Sequence, residues 1–254
     1  MADSNRPSAA ANFGASLGMA AAALLVIGVG AATMQILPAF GGFLMMVFGL
    51  GLALIGIVTS IVGVVATAPG KRREGRRLAL RGLALSIAVL VVVMVAASKG
   101  QGLPRINDIT TNVDDPPVFV TATKAPPNQD RDMNYPGASF AFQQHQAYPD
   151  LATLVTHDSP GAAFEHVHSV LSSLPRTQIT GEDRTDGRIE ATETSRIFHF
   201  SDDVVVRIRP NDGGGSRVDI RSKSRDGQGD LGVNAARIRT ILARLRNDSP
   251  PPGD

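Results

Sequence analysis

The residues best suited to chemistry lie in the C-terminal half of the sequence, where basic and apolar side chains alternate. Alternate residues of a strand project from the same face of a sheet. Basic side chains spaced in this way are expected on one polar face, at Arg207, Arg209, Arg221, Lys223 and Arg225. A guanidinium matches the oxygens of a phosphate or carboxylate, so this face is a candidate anion-binding patch. The alternative is a ladder of cross-strand ion pairs, each contributing about 0.2 to 1 kcal/mol, with Glu190, Glu193 and Asp219.

Histidines offer a weaker indication of a metal site. The five histidines are His145, His157, His166, His168 and His199. On a helix, His166 and His168 point about 200° apart because the helix repeats every 3.6 residues, so they cannot chelate one ion together. No HExxH spacing occurs, and the sequence contains no cysteine that could act as a thiolate ligand. We therefore expect no metal and no other cofactor.

Serine hydroxyls keep a hydrolase open as an alternative. A serine nucleophile needs an adjacent base that a third group holds in place. The sequence contains neither a GxSxG elbow nor an SxxK motif. The hydrolase hypothesis therefore rests on the presence of serine, histidine and aspartate and not on a catalytic motif. The residues in question are Ser195, Ser222 and Ser224, with His199, Asp202 and Asp203 as candidate partners.

The elements that would position these residues form an α+β pattern over residues 159–247. Ser159 and Pro160 are typical of a helix start, and apolar residues recur at helical spacing up to Pro175. The period then changes to two, which predicts strands at 176–180, 188–194, 196–200, 204–209 and 217–224. Asp230 is expected to cap a last helix whose apolar stripe begins at Leu231. We predict an antiparallel sheet with two helices packed on one face, followed by a flexible tail at 248–254.

The stretch before this core, residues 99–158, is dense in proline, asparagine, aspartate and glutamine. Because the residue before a proline disfavours the helical conformation, we predict that this stretch contains no helix. It is expected to be an extended linker that wraps the globular core. Strands or ordered edges are predicted only at 106–110 and 118–121.

The N-terminal part contains three long apolar runs, at 14–37, 40–68 and 78–98, after a short tail at 1–13. Each run reaches the ~20 residues that a hydrocarbon core of ~30 Å requires, which predicts three transmembrane helices. The third run contains Arg81, whose long side chain can reach the lipid headgroups if the residue lies near a helix end. A cleaved signal peptide is the alternative for the first run, but that run exceeds the usual hydrophobic region of about 7 to 15 residues.

The basic segment KRREGRR at 71–77 orients these helices. By the positive-inside rule the segment and the N-terminal tail stay in the cytoplasm, and the chain after residue 98 lies outside, in the periplasm of a bacterium. Residues 1–100 contain eight Lys/Arg and two Asp/Glu, whereas residues 101–254 contain 17 and 21. The outer part is therefore net acidic, which argues against nucleic acid as its partner.

Small residues recur four positions apart within the apolar runs, which lets helix backbones approach closely. Two explanations fit this spacing: the three helices pack on each other, or they present a face to a membrane-protein partner or to a second copy. No charged residue lies at mid-membrane depth, so an ion path is not expected. The pairs are Gly14/Gly18, Gly28/Ala32, Gly49/Ala53, Gly56/Ser60 and Gly63/Thr67.

A set of short motifs resembles the bacterial domain-of-unknown-function family 1499 over about residues 104–246. The motifs are IEATETS at 189–195, DDVV at 202–205, RSKSR at 221–225, DLG at 230–232, and the opening NDITT at 107–111, DPP at 115–117 and YPD at 148–150. The resemblance supports one globular domain over this range. It implies no particular reaction.

The resemblance also directs attention to the connection between the last strand and the last helix. A helix N-terminus that follows glycine, serine and arginine can bind an anion through backbone N–H groups, or the same residues can form a helix cap. The candidate residues are Arg221, Ser222, Ser224, Arg225, Gly227, Asp230 and Asn234. The leading hypothesis is a non-enzymatic inner-membrane protein whose periplasmic domain binds a partner protein, an envelope component or a small anionic ligand. The alternatives are an accessory subunit of a larger membrane complex and a periplasmic hydrolase.

Overall fold

The computed structural model describes residues 6–98 and 100–247, so the predicted tail at 248–254 and the first residues of the N-terminal tail lie outside the described residues. The chain forms two compact units. The first contains the N-terminal helices together with residues 196–199, and the second contains the chain from Gly100 to Ser195 and from Phe200 onward.

Three long helices form the first unit: α1 (Ala9–Thr33), α2 (Ala39–Ala66) and α3 (Arg76–Ser98). All three are long and apolar enough to cross a membrane. The first helix begins earlier than predicted because the Ser8 side chain accepts a hydrogen bond from the backbone N–H of Ala11 and caps it. Two short parallel strands, β1 (Arg6–Pro7) and β2 (Arg73–Glu74), pair at one end of the helices.

The small residues of the apolar runs lie between the three helices. A Cβ atom added to Gly14 would lie 2.8 Å from the backbone nitrogen of Ser60, and one added to Gly82 would lie 2.7 Å from the Cα of Ala15. The helices therefore touch backbone to backbone, as small residues at four-residue spacing allow. All ten residues of the predicted pairs are buried. This confirms that the small residues pack the three helices on each other.

A six-stranded antiparallel sheet forms the centre of the second unit. The strand order is β3-β8-β7-β6-β5, and β4 also pairs with β8. The register places Val206 opposite Ile220 and Arg207 opposite Asp219, so apolar and polar residues each share a face. The strands are β3 (Asp108–Thr110), β4 (Leu154–Thr156), β5 (Thr177–Asp183), β6 (Arg188–Thr194), β7 (Ser201–Pro210) and β8 (Ser216–Ser224).

Helices α5 (Pro160–Ser173) and α6 (Val233–Asn247) pack on the apolar face of this sheet. Ser159 caps α5 and Pro160 occupies its first turn, as the sequence predicts. The core between helices and sheet includes Phe164, Val206 and Ile238. The predicted fold class is confirmed: three long apolar helices are followed by an antiparallel sheet with two helices on one face.

The opposite face of the sheet is covered by residues 112–135, which we call the cover segment. It includes two short 3-10 helices, Ala122–Lys124 and Pro126–Asn128. Phe119, Ala122 and Met133 of the cover segment pack on Val205 of β7. The sheet is therefore buried on both faces, and its polar face does not form an open surface.

The prediction that residues 99–158 contain no helix is wrong. Helix α4 (Ala138–Ala147) lies within this stretch, and β3 and β4 belong to the central sheet. Ile106, Ile109 and Tyr148 are part of the main core. The prolines of this stretch flank α4 without interrupting it, so the composition of the whole stretch misrepresents the ten residues that form the helix.

Two strand predictions and one helix residue also need correction. Residues 196–200 form no strand, because Thr194 pairs with Ser201 and the chain must reverse between them. Residues 118–121, predicted as a strand or an ordered edge, form no strand, because the backbone N–H groups of Val120 and Thr121 bind the Glu190 side chain and not a neighbouring strand. Leu231 precedes α6 with a φ of 54° and is exposed, so it lies outside the apolar stripe of that helix.

Candidate functional site

Arg221 of β8 lies at the centre of the polar face, with only 1% of its surface exposed. Its Nε and Nη2 atoms donate to the two carboxylate oxygens of Asp108, each at 2.8 Å. Its remaining N–H groups donate to the backbone carbonyls of Pro117 and Met133, both in the cover segment. Because this planar guanidinium makes four hydrogen bonds to the chain, it joins β3 and β8 to the cover segment.

Glu190 of β6 binds the cover segment through its carboxylate. The Oε1 atom accepts hydrogen bonds from the backbone N–H groups of Val120 and Thr121, and Oε2 accepts one from Ala122, all at 2.8 Å. Three backbone donors that would otherwise be buried without partners are thus satisfied by one charge. The carboxylate fixes the start of the first 3-10 helix.

Two more clusters of ion pairs complete the polar face. Asp219 accepts from Arg207 at 2.9 Å and from Arg209 at 3.1 Å, and both arginines also contact Asp115. The hydrogen bonds from Arg209 and Arg207 lower the pKa of Asp115. This pair of arginines is therefore held between a buried carboxylate on β8 and an exposed one on the cover segment.

The second cluster contains Arg225 and Asp203. Arg225 donates from Nε and Nη2 to the two oxygens of Asp203, at 2.9 and 2.6 Å. Asn128 of the cover segment donates to the same carboxylate at 2.8 Å. The hydrogen bond to Asp203 raises the pKa of Arg225. The guanidinium of Arg225 is therefore held in its charged state.

Among the described residues, each of the five basic side chains of the predicted patch is paired with a carboxylate. The ion-pair alternative thus describes the structure, but only Asp219 among its three predicted partners takes this role. Glu190 binds backbone N–H groups, and Glu193 lies on the opposite face, where it pairs with Arg237 at 2.9 Å. Three of the actual partners, Asp108, Asp115 and Asp203, were not predicted to pair with these basic side chains.

The residues of the β8–α6 connection separate onto the two faces of the sheet. Ser222 and Ser224 face the helices, where both hydrogen-bond to the side chain of Asn234, at 2.6 and 2.9 Å. Arg237 of α6 joins this network through Ser222 and through Asp202, the latter at 2.6 Å. Ser222, Ser224 and Asn234 thus meet, whereas Arg221 and Arg225 lie on the other side of the sheet.

Asp230 acts at the start of α6. Its carboxylate accepts hydrogen bonds from the backbone N–H groups of Gly232 and Asn234, each at 2.8 Å. Gly227 has a φ of 77° and its carbonyl accepts from the side chain of Asn107. The geometry is that of a helix cap with a carboxylate at the helix N-terminus. Anion binding by this connection stays a prediction.

The serines of the hydrolase alternative have other partners. Ser195 accepts a hydrogen bond from the backbone N–H of Phe200 at 2.9 Å, and Ser222 and Ser224 bind Asn234. Asp202 and Asp203 pair with Arg237 and Arg225. The two helical histidines contact separate carboxylates, Asp158 for His166 and Glu182 for His168.

An open cleft of about 330 Å³ lies at one end of the sheet, and sequence reasoning did not identify it. It is bounded by the start of α5, the β5–β6 turn and the end of β7. Its walls combine apolar and charged side chains, including Phe164, Arg184, Asp186, Ile208 and Arg209. This volume lies in the range of small-molecule sites, about 300 to 1,000 Å³.

The two arginines of the cleft are held less firmly than those of the polar face. The Arg184 guanidinium lies 4.8 Å from the ring centre of Phe164 and pairs with Glu165, and both of these charged side chains are more than half exposed. Arg209 pairs with Asp115 and Asp219 but is 40% exposed. Exposed ion pairs contribute little to stability, so an incoming oxyanion can replace the carboxylate of such a pair.

Comparison with known proteins identifies the second unit. A family model described as a protein of unknown function, DUF1499, matches residues 108–245. The chain belongs to this family. The match confirms the resemblance that the motifs carry, and in this DUF1499 member it covers the sheet, α4, α5 and nearly all of α6. A search of curated proteins and a search of solved structures each gave no match.

Proposed function

We propose that this chain is an inner-membrane protein that holds its DUF1499 domain in the periplasm, where the cleft beside α5 binds a small ligand that carries a carboxylate or phosphate. The proposal assigns no reaction to the domain. The observation that carries it is the pair of partly exposed arginines, Arg184 and Arg209, in a concave site with apolar walls. By contrast, Arg221 and Arg225 pair with the buried carboxylates of Asp108 and Asp203. Arg209 has one buried partner, Asp219, and one exposed partner, Asp115.

The walls of the cleft indicate what else the ligand carries. Pro160 and Pro210 offer exposed apolar surface, the nearly buried Phe164 and Ile208 close the floor of the cleft, and Asp186 adds one negative charge to the lining. A ligand with an anionic group and a small apolar part satisfies both features, since ligand sites combine apolar walls with a few placed polar groups. We expect benzoate to bind more tightly than acetate for this reason.

Titration calorimetry on the full chain in neutral detergent at low ionic strength tests the cleft, with acetate, benzoate and inorganic phosphate as probes. Arg184→Gln and Arg209→Gln should each weaken binding by roughly tenfold or more, as expected for loss of a charge-assisted hydrogen bond. Arg246→Gln on α6, an exposed arginine outside the cleft, is the matched control. Equal affinity in all three variants and the unchanged protein would refute the proposal, as would no binding of any probe.

The membrane orientation is tested separately. A phosphatase reporter that is active only outside the cytoplasm, fused after the last residue, should be active, and one fused within 71–77 should be inactive. The opposite pattern would place the domain in the cytoplasm.

An accessory subunit of a larger membrane complex stays the alternative. Because the small residues of the helices are buried against each other, such a subunit would use other surfaces of the helices, and stoichiometric co-purification with another polypeptide would support it.

A further inference from the structure

The basic segment 71–81 differs from the polar face of the sheet because its side chains have no carboxylate partners among the described residues. Within residues 71–81 the sequence contains six Lys/Arg and a single acidic residue, Glu74. All six basic side chains are exposed, and within residues 6–98 and 100–247 none of them forms an ion pair. The basic residues are Lys71, Arg72, Arg73, Arg76, Arg77 and Arg81.

The backbone of this segment is held in one arrangement. Strand β2 pairs with β1, and the backbone N–H of Ser8 donates to the Glu74 carbonyl at 2.9 Å. Gly75 has a φ of 115° and allows the turn into α3. Arg77 and Arg81 are four residues apart on α3, so both guanidinium groups project from the same exposed side of the helix. The charges are therefore presented together by an ordered element.

The surroundings of the segment identify its partner. The segment follows α2 and includes the first two turns of α3. The outward side chains of both helices are large and apolar, including Phe48, Val58, Val92 and Val95. Such surfaces face lipid chains. Arg77 and Arg81 lie in the first two turns of α3, where the lipid-facing surface begins and headgroup phosphates are expected. Clusters of four to eight basic residues beside a membrane helix attract anionic headgroups.

We propose that residues 71–81 form a binding surface for the headgroups of anionic phospholipids, with Arg77 and Arg81 as its centre. The negative charge of the headgroup takes the place that carboxylates hold beside the arginines of the DUF1499 domain. The bound lipid is continuous with the apolar surface of the helices, because its chains lie against α2 and α3.

Native mass spectrometry of the full chain in neutral detergent tests this surface, with phosphatidylglycerol and phosphatidylcholine of identical acyl chains as probes. The unchanged protein should retain phosphatidylglycerol in preference. The double variant R77Q/R81Q should lose roughly tenfold or more of this preference, since each basic residue near an anionic headgroup contributes about fivefold. The variant R217Q/R246Q removes two exposed arginines of the second unit and should keep the preference. Detergent removes membrane orientation as a variable.

Several results would overturn the proposal. These are equal retention of both lipids by the unchanged protein, an unchanged preference in R77Q/R81Q, and an equal loss in R217Q/R246Q. Retention of glycerol 3-phosphate as strong as that of the lipid would show a site for free phosphate and not a membrane surface. R77K/R81K keeps both charges and should keep the preference even if the glutamine variant does not fold. A preference that does not fall as salt is added would also contradict it.

Discussion

Arg221 and Arg184 belong to the same domain but have opposite surroundings. Arg221 is buried, and all of its hydrogen-bond partners come from β3 and the cover segment. Arg184 is exposed, and it shares a cleft wall with an aromatic ring and one surface carboxylate. A buried guanidinium cannot release its partners without leaving an uncompensated charge, whereas an exposed one can exchange them. Arginine therefore maintains the fold at one position and is available for binding at the other.

The largest effect is expected from Arg221→Met. This change leaves the Asp108 carboxylate with Lys223 as its remaining cationic partner and leaves the carbonyls of Pro117 and Met133 without this donor. We expect the free energy of unfolding of the second unit to fall by about 3 to 5 kcal/mol. Tyrosine fluorescence measures it in the full chain, because the two tyrosines both lie in this unit and the sequence has no tryptophan.

Arg184→Gln is the matched comparison for that experiment, and its unfolding midpoint should stay unchanged. Equal loss of stability in the two variants would remove the distinction between a structural and an available arginine. A double change, Asp108→Asn with Arg221→Met, should be less destabilising than the sum of the two single changes, because the charges are removed together.

Glu190→Gln should have the next largest effect. The amide retains one oxygen acceptor but places an NH₂ group against a backbone N–H, so at least one of the donors at Val120, Thr121 and Ala122 loses its partner. We expect a loss of about 2 kcal/mol and faster proteolysis within the cover segment. Glu182→Gln on the edge strand β5 serves as the control. Proteolysis at the same rate in both variants would show that Glu190 does not hold the cover segment.

Asp230→Ala should cost about 1 kcal/mol, because two backbone N–H groups at the start of α6 lose their acceptor. The thermal unfolding midpoint of the second unit, followed by tyrosine fluorescence, measures the loss. Asp226→Ala changes an exposed acid of the same connection and should have little effect. If the two changes were equivalent, the carboxylate of Asp230 would not be acting as a cap.

The smallest effect concerns alkaline pH. Burial raises the pKa of Tyr135 to about 12, and burial followed by the charge of Asp230 raises the pKa of Tyr148. Because the folded state favours the neutral phenols, their contribution to stability is complete below about pH 10 and is lost as the pH rises through the folded values. Ultraviolet titration of tyrosinate should show no ionisation near pH 10 in the folded chain, whereas both phenols should ionise there in urea. An ionisation near pH 10 in the folded protein would contradict the burial of these side chains.

The reliable sequence predictions all rest on local patterns. The structure contains three of these features: the cap at Ser159, the apolar stripe of α5 and the alternation in β7 and β8. Each depends on neighbours within a few residues. The small residues of the apolar runs likewise lie where their spacing places them, between helices. The predictions failed where composition was averaged over a long stretch, as in residues 99–158, which contain α4 and two strands.

Sequence alone determined the three apolar helices, the basic segment beside them, the α+β order of the domain and the alternation of its strands. Only the tertiary structure decided which carboxylate meets which arginine. Asp108 lies 113 residues before Arg221 in the chain, and Glu190 lies 68 to 70 residues from the N–H groups it binds. Helix and strand periodicity depend on contacts within a turn or a pleat, but ion pairs across a sheet depend on the path of the whole chain. For the same reason the cleft, whose walls come from three separate segments, has no signal in any one of them.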